Sequence, residues 1–122
     1  MLILVFLLSL STMASSGNVT VQGQLTCNGR PRGGALVRLM LFKSGDYYAT
    51  PMVRTNTSGH YRVTGDTSNL SKAELEIYHT CNLRPDKKKC PKYRSYNVLE
   101  NDYDFGTQEL SWEPSWEYQK CP

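Results

Sequence analysis

The stretch Val19-Thr20-Val21-Gln22-Gly23-Gln24-Leu25-Thr26-Cys27 sets apolar or small residues at odd positions and polar ones at even positions. Successive side chains of a strand point to opposite faces, so this pattern is a strand with one face buried. Asn28-Gly29-Arg30-Pro31-Arg32-Gly33-Gly34 follows as a turn-rich connection. Ala35 to Phe42 is then apolar at nearly every position, as expected of a central strand covered on both faces, until Lys43-Ser44-Gly45-Asp46 breaks it.

Further out, strands are expected over 49–55, 60–64, 73–80, 93–99 and 103–110. Within 73–80, Leu75 and Ile77 face one way while Glu74 and Glu76 face the other. A short helical turn is expected near 68–72, with Ser68 or Asn69 as its cap. No helical period of useful length occurs, nor any repeat, low-complexity tract or linker. An all-β sandwich of seven to eight short strands is the architecture these features define.

The amino terminus differs in kind. Leu2 to Leu10 reads LILVFLLSL without a charge and runs into Ser11-Thr12-Met13-Ala14-Ser15-Ser16-Gly17. An apolar core ending in small residues is the layout of a secretory signal peptide, and it falls short of the ~20 apolar residues a spanning helix needs. Residues 1–16 are therefore assigned to the signal and 17–122 to one domain. No other segment approaches a membrane span. The net charge of +3 belongs wholly to the domain and is too small to imply nucleic acid.

All four cysteines, Cys27, Cys81, Cys90 and Cys121, follow the cleavage site. An even count in a secreted chain implies two disulfides, with three connectivities open. A zinc site is disfavoured, because there is no Cys-x-x-Cys pair. Three sequons, at Asn18, Asn56 and Asn69, also fit secretion; Asn56 and Asn69 are expected to carry glycans and Asn18 to be poorly used.

Several motifs taken together resemble the nematode family of secreted transthyretin-like proteins. They are Val21-Gln22-Gly23-Gln24-Leu25-Thr26-Cys27-Asn28-Gly29-Arg30-Pro31, Thr55-Asn56-Thr57-Ser58-Gly59-His60-Tyr61, Leu75-Glu76-Ile77-Tyr78-His79-Thr80-Cys81 and Tyr103-Asp104-Phe105-Gly106-Thr107. The resemblance implies a transthyretin-type sandwich of two packed sheets, an extracellular location and a binding role, without naming a ligand. Hydroxyisourate hydrolase, in the wider superfamily, ends in Tyr-Arg-Gly-Ser. This chain ends Tyr118-Gln119-Lys120-Cys121-Pro122, so that activity is not carried over. If 73–80 and 93–99 are adjacent antiparallel strands in such a sandwich, Cys81 leaves one where Cys90 enters the other. The pairing expected on that footing is Cys81–Cys90 with Cys27–Cys121.

No catalytic motif, cofactor signature or metal-ligand spacing is visible, and the chain is not expected to be an enzyme. His79 shares the parity of Leu75 and Ile77 and is expected to be packed. Trp112 and Trp116 are expected to pack on the sandwich, with an exposed aromatic patch as the alternative. The candidate binding feature is 82–94, where Arg84, Lys87, Lys88, Lys89, Lys92 and Arg94 supply six of the chain's 14 basic residues against one acid, Asp86. Clustered cations attract phospholipid head groups, sulfated glycans or acidic proteins. The expected function is extracellular recognition of an anionic surface, for example phosphatidylserine-exposing cells, or of a cell-surface partner, as a bridging factor. A carrier of a small apolar ligand is the alternative, and a degenerate hydrolase a third reading.

Overall fold

The structure, a computed structural model, describes residues 18–43, 45–66, 70–83, 90–114 and 117–119. Two sheets face each other. In the first, β1 (Asn18–Cys27) pairs antiparallel with β6 (His60–Asp66) on one side and parallel with β9 (Asp102–Glu109) on the other, while β2 (Arg30–Pro31) folds back on its end. In the second, all antiparallel, the order is β10 (Tyr118–Gln119), β8 (Lys92–Val98), β7 (Leu70–His79), β3 (Leu36–Lys43) and β4 (Asp46–Ala49). β5 (Val53–Arg54) pairs with β3 beyond the end of β4.

The inward residues are the apolar half of each alternation. Val19, Val21 and Leu25 of β1 and Tyr61 and Val63 of β6 meet Val37, Leu39 and Leu41 of β3 and Ala73, Leu75 and Ile77 of β7. Burying each Val, Leu or Ile contributes about 1.5–3 kcal/mol, and this core is what joins the sheets. Gly23 leaves room for an inward ring: a Cβ there would lie 2.5 Å from the Tyr61 hydroxyl, which donates to Gln108 Oε1 at 2.6 Å.

Three local expectations change. β3 is covered fully on its inward face only; Leu36, Arg38, Met40 and Phe42 are half-buried on the outer face. Their cover is local, with Phe42 against Tyr47 (6.2 Å between rings) and the Lys72 ammonium 5.3 Å from the Phe42 ring. The strand expected over 49–55 divides into β4 and β5, because Pro51 between them has no N–H for the ladder. The helical turn near 68–72 gives way at Leu70, where β7 begins and Lys72 pairs with Phe42; residues 67–69 lie outside the described set.

The cysteine pairing is corrected as well. Cys27 bonds to Cys81, with Cα atoms 5.8 Å apart, and Cys90 is bonded elsewhere. β7 and β8 are indeed antiparallel neighbours, yet their connection is not closed by Cys81–Cys90. Parity explains it: Cys81 continues the inward row Leu75, Ile77 and His79, so its sulfur points at the opposite sheet. There Cys27 ends β1 on that strand's inward row. The bridge staples sheet to sheet. The Cys27–Cys121 expectation falls with it, and Cys121 lies outside the described residues.

Candidate functional site

The chain enters and leaves the basic segment at one end of the sandwich, after Cys81 and at Cys90. Of the six cations expected to bind anions, Arg84, Lys87, Lys88 and Lys89 lie outside the described residues. Lys92 and Arg94 do not belong to an exposed cluster: they are 3% and 1% exposed. Lys92 stands opposite His79 and Arg94 opposite Ile77, so both side chains fall on the inner face of β8. The Lys92 ammonium donates to Glu113, and Arg94 Nε donates to Glu117 Oε2.

Arg94 organises the carboxy-terminal segment. Its Nη2 donates to the carbonyls of Leu110 and Trp112 at 3.2 and 2.8 Å, and its Nη1 to the Tyr96 hydroxyl at 3.1 Å. Glu117 Oε2 also accepts from His79 Nε2 at 2.8 Å, while the Cys81 N–H donates to His79 Nδ1 at 3.1 Å. With Nδ1 accepting, the ring proton sits on Nε2. Burial lowers the His79 pKa and outweighs the pull of Glu117, so the imidazole is neutral beside a fully formed Arg94–Glu117 pair. This is a clamp built on two buried cations, each with a carboxylate partner, holding residues 110–114 and Glu117 against β8. Trp112, whose carbonyl is in the clamp, leaves its side chain 65% exposed instead of packing on the sandwich, and Trp116 lies outside the described residues.

At the same end, Glu109 gathers the β1–β2 turn. Its carboxylate accepts from the N–H groups of Asn28, Gly29 and Ser111 at 2.8, 2.8 and 2.9 Å, and from Thr26 Oγ1 at 2.9 Å. Asn28 and Gly29 both take positive φ (55° and 79°), a turn this carboxylate fixes in place. Hydrogen bonds, those of Ser111 foremost, hold the Glu109 pKa at about 2. A depressed carboxylate pKa contributes stability above the unfolded-state value and loses it as pH falls through the folded-state value. Wild type should therefore lose this contribution between about pH 4.5 and 2. Glu109→Gln should cost about 1–2 kcal/mol at neutral pH, since the turn is open to water, and should flatten the acid limb of a urea-midpoint-against-pH profile. An acid limb as steep as that of wild type would refute this role.

On the outer face of the second sheet, a row of residues in register crosses from Arg54 through Leu36 and Tyr78 to Tyr93. Beside it lies an open cavity of about 340 Å3, whose lining includes Arg32, Leu36, Met52, Arg54, Tyr78 and Pro91. One step along the sheet, Arg38 donates to Glu76 at 2.7 Å and Tyr93 donates to the other carboxylate oxygen, so Glu76 is already engaged. Elsewhere, His60 and Asn56 are exposed, with Asn56 Oδ1 accepting from the Ser58 and His60 N–H groups at 3.0 and 2.9 Å. Asn18 is exposed at the start of β1, and Asn69 lies outside the described residues. Among the described residues no group of three His, Cys, Asp or Glu side chains is placed to hold a metal ion, and no helix is long and apolar enough to cross a membrane.

Glu113 and Glu117, the counter-charges of the clamp, carry no motif and were not singled out from sequence; nor were Arg32 and Arg54. A sheet-to-sheet disulfide, a charge-clamped carboxy-terminal segment and an outer face with an apolar cleft define a stapled two-sheet β-sandwich. A model of the transthyretin-like family matches residues 22–98, more than half of the chain. Transthyretin-like protein 5 of Caenorhabditis elegans is 30% identical over 127 residues, an alignment spanning 90% of each chain. The chain belongs to the transthyretin-like family. Among solved structures, a 9R-lipoxygenase from Cyanothece PCC8801 aligns over 80% of this chain and 17% of its own, with 17% identity and a TM-score of 0.47, too distant to support an argument.

Proposed function

We propose that the chain is a secreted extracellular binding protein that recognises an anionic surface, such as that of a phosphatidylserine-exposing cell, or a cell-surface partner, and can bridge the two. Residues 1–16, outside the described set, serve as its signal peptide in this reading, and Asn56 and Asn69 carry glycans. The reading assigns it binding and no catalytic step. The observation that supports it most is how the basic segment is anchored. Arg84, Lys87, Lys88 and Lys89, with Asp86 as the one acid among them, lie between Cys81 and Cys90, and both cysteines are disulfide-bonded. With Lys92 and Arg94 drawn into the clamp, the segment's remaining positive charge belongs to those four, which fall within six positions of the sequence.

Replacing Lys87, Lys88 and Lys89 together by glutamate takes the net charge from +3 to −3. Each lysine near an anionic membrane contributes about 1 kcal/mol, so affinity for phosphatidylserine liposomes should fall by about 100-fold or more. Wild-type binding should weaken steeply with salt, because exposed charges are screened beyond about 8 Å at physiological ionic strength. Sedimentation with phosphatidylserine liposomes and with neutral liposomes checks this. Equal binding by the two proteins would remove the segment from the interaction. The carrier reading also has an observation in its favour, the apolar cleft on the outer face.

A further inference from the structure

The cleft beside the Arg54–Leu36–Tyr78 row combines apolar walls with a cationic margin. Its walls offer apolar contact from Leu36, Met52, Tyr78 and Pro91, and Met52 remains 39% exposed. At its margin stand two guanidinium groups whose hydrogen-bond acceptors are neutral. Arg32 Nη2 donates to Thr80 Oγ1 at 2.9 Å, and Arg54 Nη1 reaches the Gly34 carbonyl at 3.5 Å. The described lining contains no carboxylate. Glu76, one step along the sheet, is held by Arg38 and Tyr93. Arg38 shows the contrast: an arginine on this face with its own counter-ion, lying 5.9 Å from the Tyr78 ring.

We infer that this cleft is a binding site for a single-chain anionic amphiphile, its carboxylate or phosphate head between Arg32 and Arg54 and its hydrocarbon along Leu36, Met52 and Tyr78. A guanidinium presents several N–H donors in a planar fork that suits an oxyanion. The volume of about 340 Å3 lies near the lower limit of small-molecule sites, which run from roughly 300 to 1,000 Å3. Charge and apolar surface are both needed. An inorganic anion would meet two arginines open to water, where screening leaves little attraction, and a neutral chain would leave both guanidiniums without a counter-ion. The inference rests on the reading of the chain as a binding protein, but places its ligand on residues separate from Lys87, Lys88 and Lys89. Pro91, in the lining, follows the bonded Cys90 where the chain returns from that segment.

Calorimetric titration of the full secreted chain with dodecanoate, dodecyl phosphate, dodecanol and inorganic phosphate, each below its aggregation concentration, tests the site. One or both anionic amphiphiles should bind with one-to-one stoichiometry, and which of them binds identifies the head group. Dodecanol and inorganic phosphate should bind at least tenfold more weakly. Arg54→Gln, at an exposed position that leaves folding intact, should weaken the amphiphile about tenfold or more, as expected for losing one charge-assisted contact. Arg32→Gln with Arg54→Gln should abolish saturable binding. The triple Lys-to-Glu protein should keep amphiphile affinity within about threefold while losing liposomes, which separates this site from the basic segment. Failure of both amphiphiles to bind, or binding unchanged in Arg54→Gln and in the double variant, overturns the inference. So does binding that the triple variant loses and the arginine variants keep. Retained liposome binding by the triple variant would instead overturn the proposed function.

Discussion

Glu117→Ala should lower the stability of the domain by about 3–5 kcal/mol, the cost of removing one partner from a buried ion pair. The loss follows from what remains. Arg94 is 1% exposed, and without Glu117 its charge would sit beside neutral His79 with only the carbonyls of Leu110 and Trp112 and the Tyr96 hydroxyl as partners. A buried cation without its counter-ion costs more than the lost hydrogen bonds alone. His79 Nε2–H would lose its acceptor in the same step. Glu117→Gln keeps an acceptor oxygen and should fall between wild type and Glu117→Ala. Arg94→Met combined with Glu117→Gln removes both charges and should recover part of the loss, which a sum of single effects would not give. Urea titrations at constant m-value read all four proteins. A cost for Glu117→Ala below about 1 kcal/mol, the range of exposed pairs, would show that the clamp is open to solvent.

The clamp also marks the boundary of what the sequence makes legible. Alternation in Val19 to Cys27 and in Leu75 and Ile77 located β1 and β7 because one face of each strand meets the core, and burial writes itself into a period of two. The same rule held for Arg94, though the charge concealed it. Tyr96 and Val98 share its parity and are partly buried against the core, so Arg94 stood on an inward row from the start. Reading it instead as part of a cationic cluster gave weight to neighbours along the chain over neighbours on the face. Its partner Glu117 lies 23 residues further on, in a segment without alternation, and only the fold brings it close. The cleft was hidden for a similar reason. Arg32 lies in the loop before β3 and Arg54 beyond Pro51, and the pairing of β5 with β3 is what sets Arg54 beside Leu36. Apolar density in Ala35 to Phe42 marks a strand, β3, but the cover expected on both its faces is complete on one only. Such density could not distinguish a covered outer face from one that is apolar and half open.

Removing the Cys27–Cys81 bridge by changing both residues to alanine should cost about 4 kcal/mol. The bridged residues are 54 apart in sequence, so the bond excludes from the unfolded ensemble every conformation in which so long a loop is open. It links the last residue of β1 in one sheet to the residue two beyond His79, where β7 of the other sheet ends, and Cys81 is wholly buried. Its loss should therefore act at both ends of the bridge. The turn that Glu109 holds at Asn28 and Gly29 directly follows Cys27, and the Cys81 N–H that fixes the His79 tautomer belongs to the other partner. The double variant should melt well below wild type, by about 10 °C or more for a domain of this size, and reduction of wild type should reproduce much of that shift. Non-reducing peptide mapping should recover a Cys27–Cys81 fragment. Because Cys90 is also bonded and the chain holds four cysteines, Cys121 is the partner expected for it. A fragment joining Cys81 to Cys90 would contradict the sheet-to-sheet staple. A double variant as stable as wild type would show that the core holds the two sheets together without the covalent link.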